Sequence, residues 1–299
     1  MTTRVNTQPT SSAAVRNTSK AASAAPTTVT KDSRFSNDFQ KWLNENGYGK
    51  YDFAKGNVPA FGGRAKPGEK LKNEPVIFIH GNSDSAAGWA GSVETFSKNG
   101  YKPSEMYAMT WGPQDPMQSG QQYHSEKYLE EVRAFIQAVK EYTGADKVDV
   151  IGHSMGVTLA RKAIQGGDGF DSGTHQKYNL GKPLTNSVDT FVGIAGANNG
   201  LASAMMTGDW VPTTNTTDGL YPGSKFLNDI NAVKHDEGAH VYSMWSNADE
   251  LIGVGLAGFT SPIPGQDGQK VYNTFPYGHL GMKDLTGEEQ LSMVRDHKV

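Results

Sequence analysis

The stretch Lys147-Val-Asp-Val-Ile-Gly-His-Ser-Met-Gly-Val-Thr-Leu-Ala-Arg-Lys-Ala-Ile164 decides the fold. Its first part, Val148 to Ile151, has the apolar alternation of a buried strand, and its last part, Val157 to Ile164, is compatible with a helix. Between them lies a GxSxG pattern, Gly152-His-Ser-Met-Gly156. Small residues must flank a sharp turn from strand to helix, because larger side chains would clash there. The pattern predicts that Ser154 is exposed at the strand end and at the N-terminus of the helix.

Other parts of the chain repeat this alternation. Pro75 to Gly81 is a continuous apolar run closed by a turn, as expected for a strand buried on both faces. Ser125 to Tyr142 carries apolar residues on one helical face, with Ser125 as N-cap and Gly144 as the residue that ends the helix. The alternation predicts an α/β fold with a mostly parallel sheet and helices on both faces. Further strands are predicted at Glu105–Trp111, Thr190–Ala195, His240–Ser246 and Lys270–Phe275, and a closing helix at Gly287–His297.

Two regions lack this pattern. Residues 1–34 contain no Leu, Ile, Phe, Trp or Tyr, so they cannot bury enough apolar surface to offset the entropy of ordering. We predict a disordered Thr/Ser/Ala-rich leader over 1–34 and one folded domain over 35–299. Within that domain, residues 197–234 are rich in Gly, Thr, Asn and Pro. We predict an irregular cap or lid insertion there, since long irregular segments of compact domains are usually functional.

The composition excludes several classes of protein. The absence of cysteine rules out disulfides, Cys-ligated metals and a cysteine nucleophile. A net charge of −3 argues against nucleic acid as a partner. No apolar run approaches the ~18 residues that would span a bilayer, and no secretory signal is visible. The sequence is compatible both with the cytoplasm and with export by a route that needs no cleavable signal.

Ser154 needs a histidine base and a carboxylate that orients it, because a serine at its ordinary pKa is a poor nucleophile. In enzymes with a serine at such a turn, the acid and then the histidine follow it along the chain. Of the eight histidines, His279 lies in a glycine-flanked loop after the last predicted strand and is the predicted base; His297 is the second candidate. Asp249 is the predicted acid because it follows the strand that ends at Ser246, and its neighbour Glu250 stays open as an alternative.

The remaining site residues are predicted from their positions around Ser154. The backbone N–H groups of Met155 and Asn82 are the predicted oxyanion donors, since one follows the nucleophile and the other lies in the loop after the first strand. Two segments rich in Gly and Ala, Ala86–Gly91 and Gly196–Ala204, are predicted to lead into the site. From them we predict esters with short to medium acyl chains as substrates. Apolar surface for an acyl chain or a transient lipid interface is predicted from Trp89, Met205, Met206 and Trp210.

Three other functions have weaker support in the sequence. The GxGxxG pattern at Gly253–Gly258 is weak evidence for a dinucleotide site, since it does not close a strand and no strand ending in Asp or Glu follows some ~20 residues later. No HExxH motif or clustered His/Asp spacing is present, so neither a metal nor a cofactor is expected. A non-catalytic binding protein would require a defective triad, whereas all three roles have a candidate here.

Several blocks together resemble the class 2 lipases of bacteria and nematodes. They are similar, more loosely, to an extracellular polyhydroxybutyrate depolymerase of the same fold. The resemblance implies an α/β-hydrolase fold and an ester hydrolase that forms an acyl-enzyme on Ser154, with a polyhydroxyalkanoate depolymerase as the alternative. It implies the same roles for Asp249, His279, Asn82 and Met155. The blocks are Phe78–Asn82, Gly152–Gly167, Gly196–Leu201, Trp245–Gly253 and Gly278–Leu280.

Overall fold

The computed structural model describes residues 27–54 and 56–299. The first 26 residues of the predicted leader lie outside the described residues. Its last part, residues 27–34, packs against the domain: Val29 is buried, and the N–H of Ala60 donates to the carbonyl oxygen of Ser33 at 3.1 Å. The folded part of the chain therefore begins before the predicted boundary at residue 35, because the side chain of Val29 is part of the hydrophobic core.

A parallel sheet forms the centre of the fold. Each strand of the sheet pairs in parallel with its neighbours, and helices supply the crossover connections that such pairing needs. Within the described residues the strands are β1 (Val76–Ile79), β2 (Met106–Ala108), β3 (Val148–His153), β4 (Asp168–Asp171), β5 (Gln176–Asn179), β6 (Val188–Ile194), β7 (His240–Ser246) and β8 (Gly268–Tyr272). Six of them form the sheet in the order β2-β1-β3-β6-β7-β8, and β4 and β5 form a separate antiparallel hairpin.

Helices cover both faces of this sheet. In the same residues they are α1 (Asn37–Glu45), α2 (Ala90–Lys98), α3 (Glu126–Thr143), α4 (Met155–Gln165), α5 (Lys225–Ala232), α6 (Ala257–Thr260), α7 (His279–Asp284) and α8 (Gly287–Asp296). No helix of the described chain is both long and apolar enough to cross a bilayer.

Successive side chains of β1 point into two different cores. Ile77 and Ile79 belong to the core that includes residues of α1, α3, α4 and α5, whereas Val76 and Phe78 belong to the core that includes residues of α2, α7 and α8. A strand buried on both faces needs apolar residues at every position, which explains the unbroken apolar run in the sequence. The predicted mostly parallel sheet with helices on both faces is therefore confirmed.

The longest helix, α3, begins and ends where its sequence predicts. The Ser125 hydroxyl accepts a hydrogen bond from the N–H of Tyr128, so it caps one of the free donors of the first turn. Gly144 ends the helix in the left-handed conformation, with φ of 71°, which costs a glycine little. Its apolar face, which includes Val132 and Phe135, is buried against the sheet.

The segment 197–234 is irregular at first and then helical. It contains short 3₁₀ turns at Ala202–Met206, Gly208–Trp210 and Pro212–Thr214, followed by α5. The helix was not predicted, although Ser224 caps it by accepting from the N–H of Leu227. Its brevity and its Gly- and Thr-rich surroundings hide the helical spacing. The hairpin β4-β5 was not predicted either, because its residues are mostly polar and exposed.

Candidate active site

Ser154 lies at the tight turn between β3 and α4. Its backbone has φ of 55° and ψ of −128°, a region that costs a non-glycine residue on the order of 1–3 kcal/mol. The turn is held because the N–H of Ser154 donates to the carbonyl oxygen of Ile194 at 2.9 Å. Gly156 permits the close approach of α4 to β1, since a Cβ there would collide with the carbonyl oxygen of His80. The packing around the turn therefore holds the strained serine in place.

His279 is the first residue of α7, and its ring is buried beside the turn after β7. Its Nδ1 lies 2.8 Å from Oδ2 of Asp249, whose side chain is fully buried. The other oxygen of that carboxylate, Oδ1, accepts from the N–H groups of Leu251 at 3.0 Å and Ile252 at 2.8 Å. These two donors orient the carboxylate so that Oδ2 faces the ring. Because Nδ1 contacts the carboxylate, Nε2 is the ring nitrogen free to exchange a proton.

Glu250 contacts a different part of His279. Its Oε2 accepts a hydrogen bond from the backbone N–H of His279 at 3.0 Å, whereas the ring is bonded to Asp249. Gly278 provides the room, because a Cβ at that residue would collide with the Glu250 carboxylate. The two adjacent carboxylates thus hold the main chain and the ring of His279 separately.

His153, the residue before Ser154, is buried beside the same histidine. Its Nε2 lies 3.0 Å from the carbonyl oxygen of His279, and the two rings are 4.7 Å apart between centroids. Burial first, and then the neighbouring groups His279 and Lys283, lower the pKa of His153 well below its usual value. The ring is therefore neutral, its hydrogen is on Nε2, and its buried Nδ1 has no hydrogen-bond partner among the described residues. No role was predicted for His153; its place inside the GxSxG pattern was the available signal.

The loop after β1 is held by His80 and Asn82. The N–H of Trp111 donates to Nε2 of His80 at 3.0 Å, and the two rings stack. The side-chain amide of Asn82 donates to the carbonyl oxygen of Ser119 at 2.9 Å. These contacts position the backbone of Asn82 at the site, while Met155, as the first residue of α4, has an N–H without an acceptor inside its own helix.

A cavity of about 370 Å³ connects these residues. Ser154, Met155, His279 and Asn82 all line it, and Asp249 lies behind His279. The structure thus brings together the predicted serine, histidine, acid and oxyanion residues. The apolar part of the wall consists of Ala197, Leu201, Leu220, Leu251, Ile252 and Leu280.

Four residues predicted to contact substrate lie elsewhere. Trp89 is fully buried ahead of α2, where it packs against Phe78 with ring centroids 5.1 Å apart, so it anchors the core and does not line the cavity. Met205, Met206 and Trp210 are on the outside of the 3₁₀ turns, and Trp210 is 93% exposed. They line a separate shallow depression, because Leu201, Ser203 and Thr213 are residues of this segment that face the cavity instead.

A model of the class 2 lipase family matches residues 73–292, which is well over half of the chain. The chain belongs to the class 2 lipase family. Both the resemblance seen in the sequence and the α/β-hydrolase fold are thereby confirmed. Family membership makes this lipase a lipolytic hydrolase, with an ester or lipid as its substrate.

Solved structures agree on the fold. The mature form of a Bacillus licheniformis lipase, BlEst2, is similar to this lipase with a TM-score of 0.53 and 15% identity, over 79% of this chain and 97% of that chain. The propeptide form of BlEst2 gives the same TM-score of 0.53 and 15% identity, over 79% of this chain and 52% of that chain. At this identity the likeness concerns the fold alone.

Proposed function

We propose that this class 2 lipase is a serine carboxylic-ester hydrolase that forms an acyl-enzyme on Ser154. One observation carries the proposal: the strained turn places Ser154 in the same cavity as His279, whose ring is bonded at 2.8 Å to the buried carboxylate of Asp249. A nucleophile, a base and an orienting acid in this order along the chain are the parts that acyl transfer needs.

The proposed reaction has two halves. In the first, Nε2 of His279 takes the hydroxyl proton of Ser154 as Oγ attacks the ester carbonyl carbon, and the N–H groups of Asn82 and Met155 stabilise the resulting oxyanion. His279 then gives the proton to the leaving alcohol as the C–O bond breaks. In the second half, His279 takes a proton from water, the hydroxide attacks the acyl carbon, and the proton returns to Ser154 as the acid leaves.

We assign the acid role to Asp249 and a positioning role to Glu250. Asp249 meets the ring nitrogen, so it can stabilise the imidazolium that forms during the reaction. Glu250 accepts from the main chain of His279 and therefore acts on the position of the residue, not on its charge.

The proposed substrates are esters with short to medium acyl groups. A cavity of about 370 Å³ is near the lower end of the ~300–1,000 Å³ range of ligand pockets. Leucines from three loop positions and from α7 line it, which suits a hydrocarbon chain. Leu251 and Leu280 line the cavity and are also largely exposed, and Met206 and Trp210 add apolar surface on the insertion. These side chains support a transient lipid interface as the further partner.

The test combines covalent labelling with kinetics. The wild type should react with a fluorophosphonate probe and hydrolyse p-nitrophenyl esters, with the highest kcat/KM at short to medium chain length. Ser154→Ala should abolish labelling and lower kcat by about 10³-fold or more while the circular dichroism spectrum is unchanged. Asp249→Asn should lower kcat by roughly 10³- to 10⁴-fold, and Glu250→Gln, its matched control, by less than about tenfold.

Several results would contradict the assignment. Labelling that persists in Ser154→Ala would place the nucleophile elsewhere, and a wild type that neither labels nor hydrolyses would favour a non-catalytic binding protein. A chain-length series that peaks at C16 or longer would contradict the proposed substrate size. Clearing of a polyhydroxybutyrate suspension by an enzyme inactive on soluble esters would favour the depolymerase alternative.

A further inference from the structure

The edge of the sheet where the strands begin lies opposite the candidate active site and collects residues of metal-ligand type. Parallel strands all begin at the same edge, and neighbouring strands contribute Glu74 just before β1, Asp149 in β3, Asp189 in β6 and His240 in β7. The end of the chain adds His297, the residue that follows α8. Because these residues are far apart in the sequence, no spacing typical of metal ligands is visible along the chain.

Three of these side chains converge. One ligand atom from each of Asp189, His240 and His297 lies within 4.8 Å of the other two. His297 Nε2 is 3.0 Å from Oδ2 of Asp189, and the imidazole rings of His240 and His297 stack with centroids 3.8 Å apart. A second group shares Asp189: ligand atoms of Glu74, Asp149 and Asp189 also lie within 4.8 Å of one another.

Asp189 lies between basic and acidic neighbours. Lys147 offsets one carboxylate, since its Nζ is 3.1 Å from Oδ1 of Asp189. Burial, followed by the charges of Glu74 and Asp189, raises the pKa of Asp149 well above its usual value. Burial and the charge of Asp189 likewise raise the pKa of Glu74. Neither Glu74 nor Asp149 is therefore counted among the proposed ligands, and the site rests on the positions of Asp189, His240 and His297 alone.

We propose that Asp189, His240 and His297 bind a divalent transition-metal ion, with Zn²⁺ as the best fit. Two imidazole nitrogens and one carboxylate oxygen form a donor set that zinc accepts, whereas Mg²⁺ and Ca²⁺ prefer oxygen ligands. Zinc bonds of about 2.0–2.2 Å in tetrahedral geometry place ligand atoms roughly 3.4 Å apart. The three side chains must therefore draw together, and the stacked ring of His297 must turn so that the ion lies in the plane of both imidazoles. The side chain of His297 is 39% exposed and has the freedom to do so.

The location of the site sets its role. A metal ion bound there links the end of α8 to β6 and β7, so it fastens the last helix of the chain to the sheet. Binding energy that is available only in the folded state adds to stability. Because the ligands lie at the edge where the strands begin, the ion is separated from Ser154 and His279, which lie where strands end.

Zinc titration of the untagged full chain tests the proposal independently of ester hydrolysis. After treatment with EDTA and removal of the chelator, isothermal titration with ZnCl₂ should show one zinc per chain and a rise in Tm, with no such response to MgCl₂. His297→Asn and Asp189→Asn should each weaken zinc binding at least tenfold. His175→Asn is the matched control, since His175 is exposed and has φ of 55° against 51° for His297, so the same substitution meets the same backbone.

His279→Ala should leave the titration unchanged, because it removes the imidazole of the candidate active site and none of the proposed ligands. The proposal is overturned if zinc does not bind saturably, if His297→Asn and Asp189→Asn both bind it as the wild type does, or if His279→Ala alone abolishes binding. Circular dichroism of each variant shows that the chain is folded. His240→Ala removes a partly buried ring, so its zinc titration is interpreted only if its circular dichroism spectrum matches that of the wild type.

Discussion

His153 and His279 are joined by one hydrogen bond between the turn after β3 and the first residue of α7. The bond runs from Nε2 of His153 to the main-chain oxygen of His279 at 3.0 Å, while Glu250 holds the N–H of the same residue. The backbone of His279 is therefore fixed on both sides, and its ring by Asp249. Since proton transfer requires close positioning of base and nucleophile, this bond is expected to act on the rate through the position of His279.

Replacement of His153 by leucine removes the donor and should lower kcat by about 10- to 100-fold, with little change in KM. His153→Gln retains an amide N–H at the position of Nε2 and should remain within about fivefold of the wild type. Rates are expressed per active site titrated with fluorophosphonate, so a loss of folded protein does not count as a loss of kcat. Equal losses of kcat in both variants, or a loss confined to the number of titratable sites, would argue that His153 only fills space.

At the scale of elements, Arg161 fastens the irregular segment to α4. The guanidinium is buried, with Nε 2.7 Å from Oε1 of Glu237, and Nη1 3.0 Å from Oδ1 of Asn198 and 2.8 Å from that of Asn231. Burial lowers the pKa of Arg161, although the charge of Glu237 acts in the opposite direction. A buried pair of this kind costs desolvation, so removal of one partner leaves a charge without compensation.

Glu237→Leu should therefore lower the free energy of unfolding by about 3–5 kcal/mol, measured by urea denaturation at pH 7. The exposed pair Lys98–Glu94 in α2 is the matched control, because solvent screens it: Glu94→Gln should change the free energy by less than about 1 kcal/mol. A change in Glu237→Leu no larger than that of the control would show that Arg161 does not depend on its carboxylate.

Elements with local signals could be predicted from the sequence, and elements without them could not. The strand β3 and the helix α3 have apolar periodicity, and α3 also has the caps Ser125 and Gly144, so both lie where they were predicted. The helix α5 has a cap at Ser224 and buries Phe226 and Ile230, but it is short and lies in a Gly- and Thr-rich segment, so its local signal is weak. Tertiary packing overrides weak local preference in such segments.

The candidate site divides in the same way. Ser154, Asp249 and His279 could be placed together because each follows a strand of a parallel sheet and the strands end at one edge. The side chains that face the cavity could not be predicted, since that depends on how a loop is oriented. Trp89 points into the core and Trp210 into solvent, although each ends a short 3₁₀ turn in a segment near the site.

At the scale of the whole molecule, stability comes from packing, because a chain without cysteine has no disulfide to add. Polar side chains are also buried in the domain, and they must stay neutral and keep their hydrogen bonds. His124 is such a residue: Nδ1 donates to the carbonyl oxygen of Asp218 at 2.7 Å, and Nε2 accepts from the hydroxyl of Thr158 at 2.7 Å. Its ring stacks on Phe226 with centroids 3.9 Å apart, so it joins α4, the irregular segment and α5.

This arrangement predicts a pH dependence of stability. Burial lowers the pKa of His124 from 6.5 to about 4, so between these values the unfolded chain binds a proton that the folded chain does not. The contribution of His124 is therefore complete above pH 6.5 and decreases by about 3 kcal/mol as the pH falls to 4. His124→Asn keeps a donor for Asp218 but cannot titrate. The free energy of unfolding is measured in urea from pH 7 to pH 4 for the wild type and this variant. Over that range the wild type should lose that amount relative to the variant. A difference between the two that stays constant would mean that His124 does not titrate on unfolding.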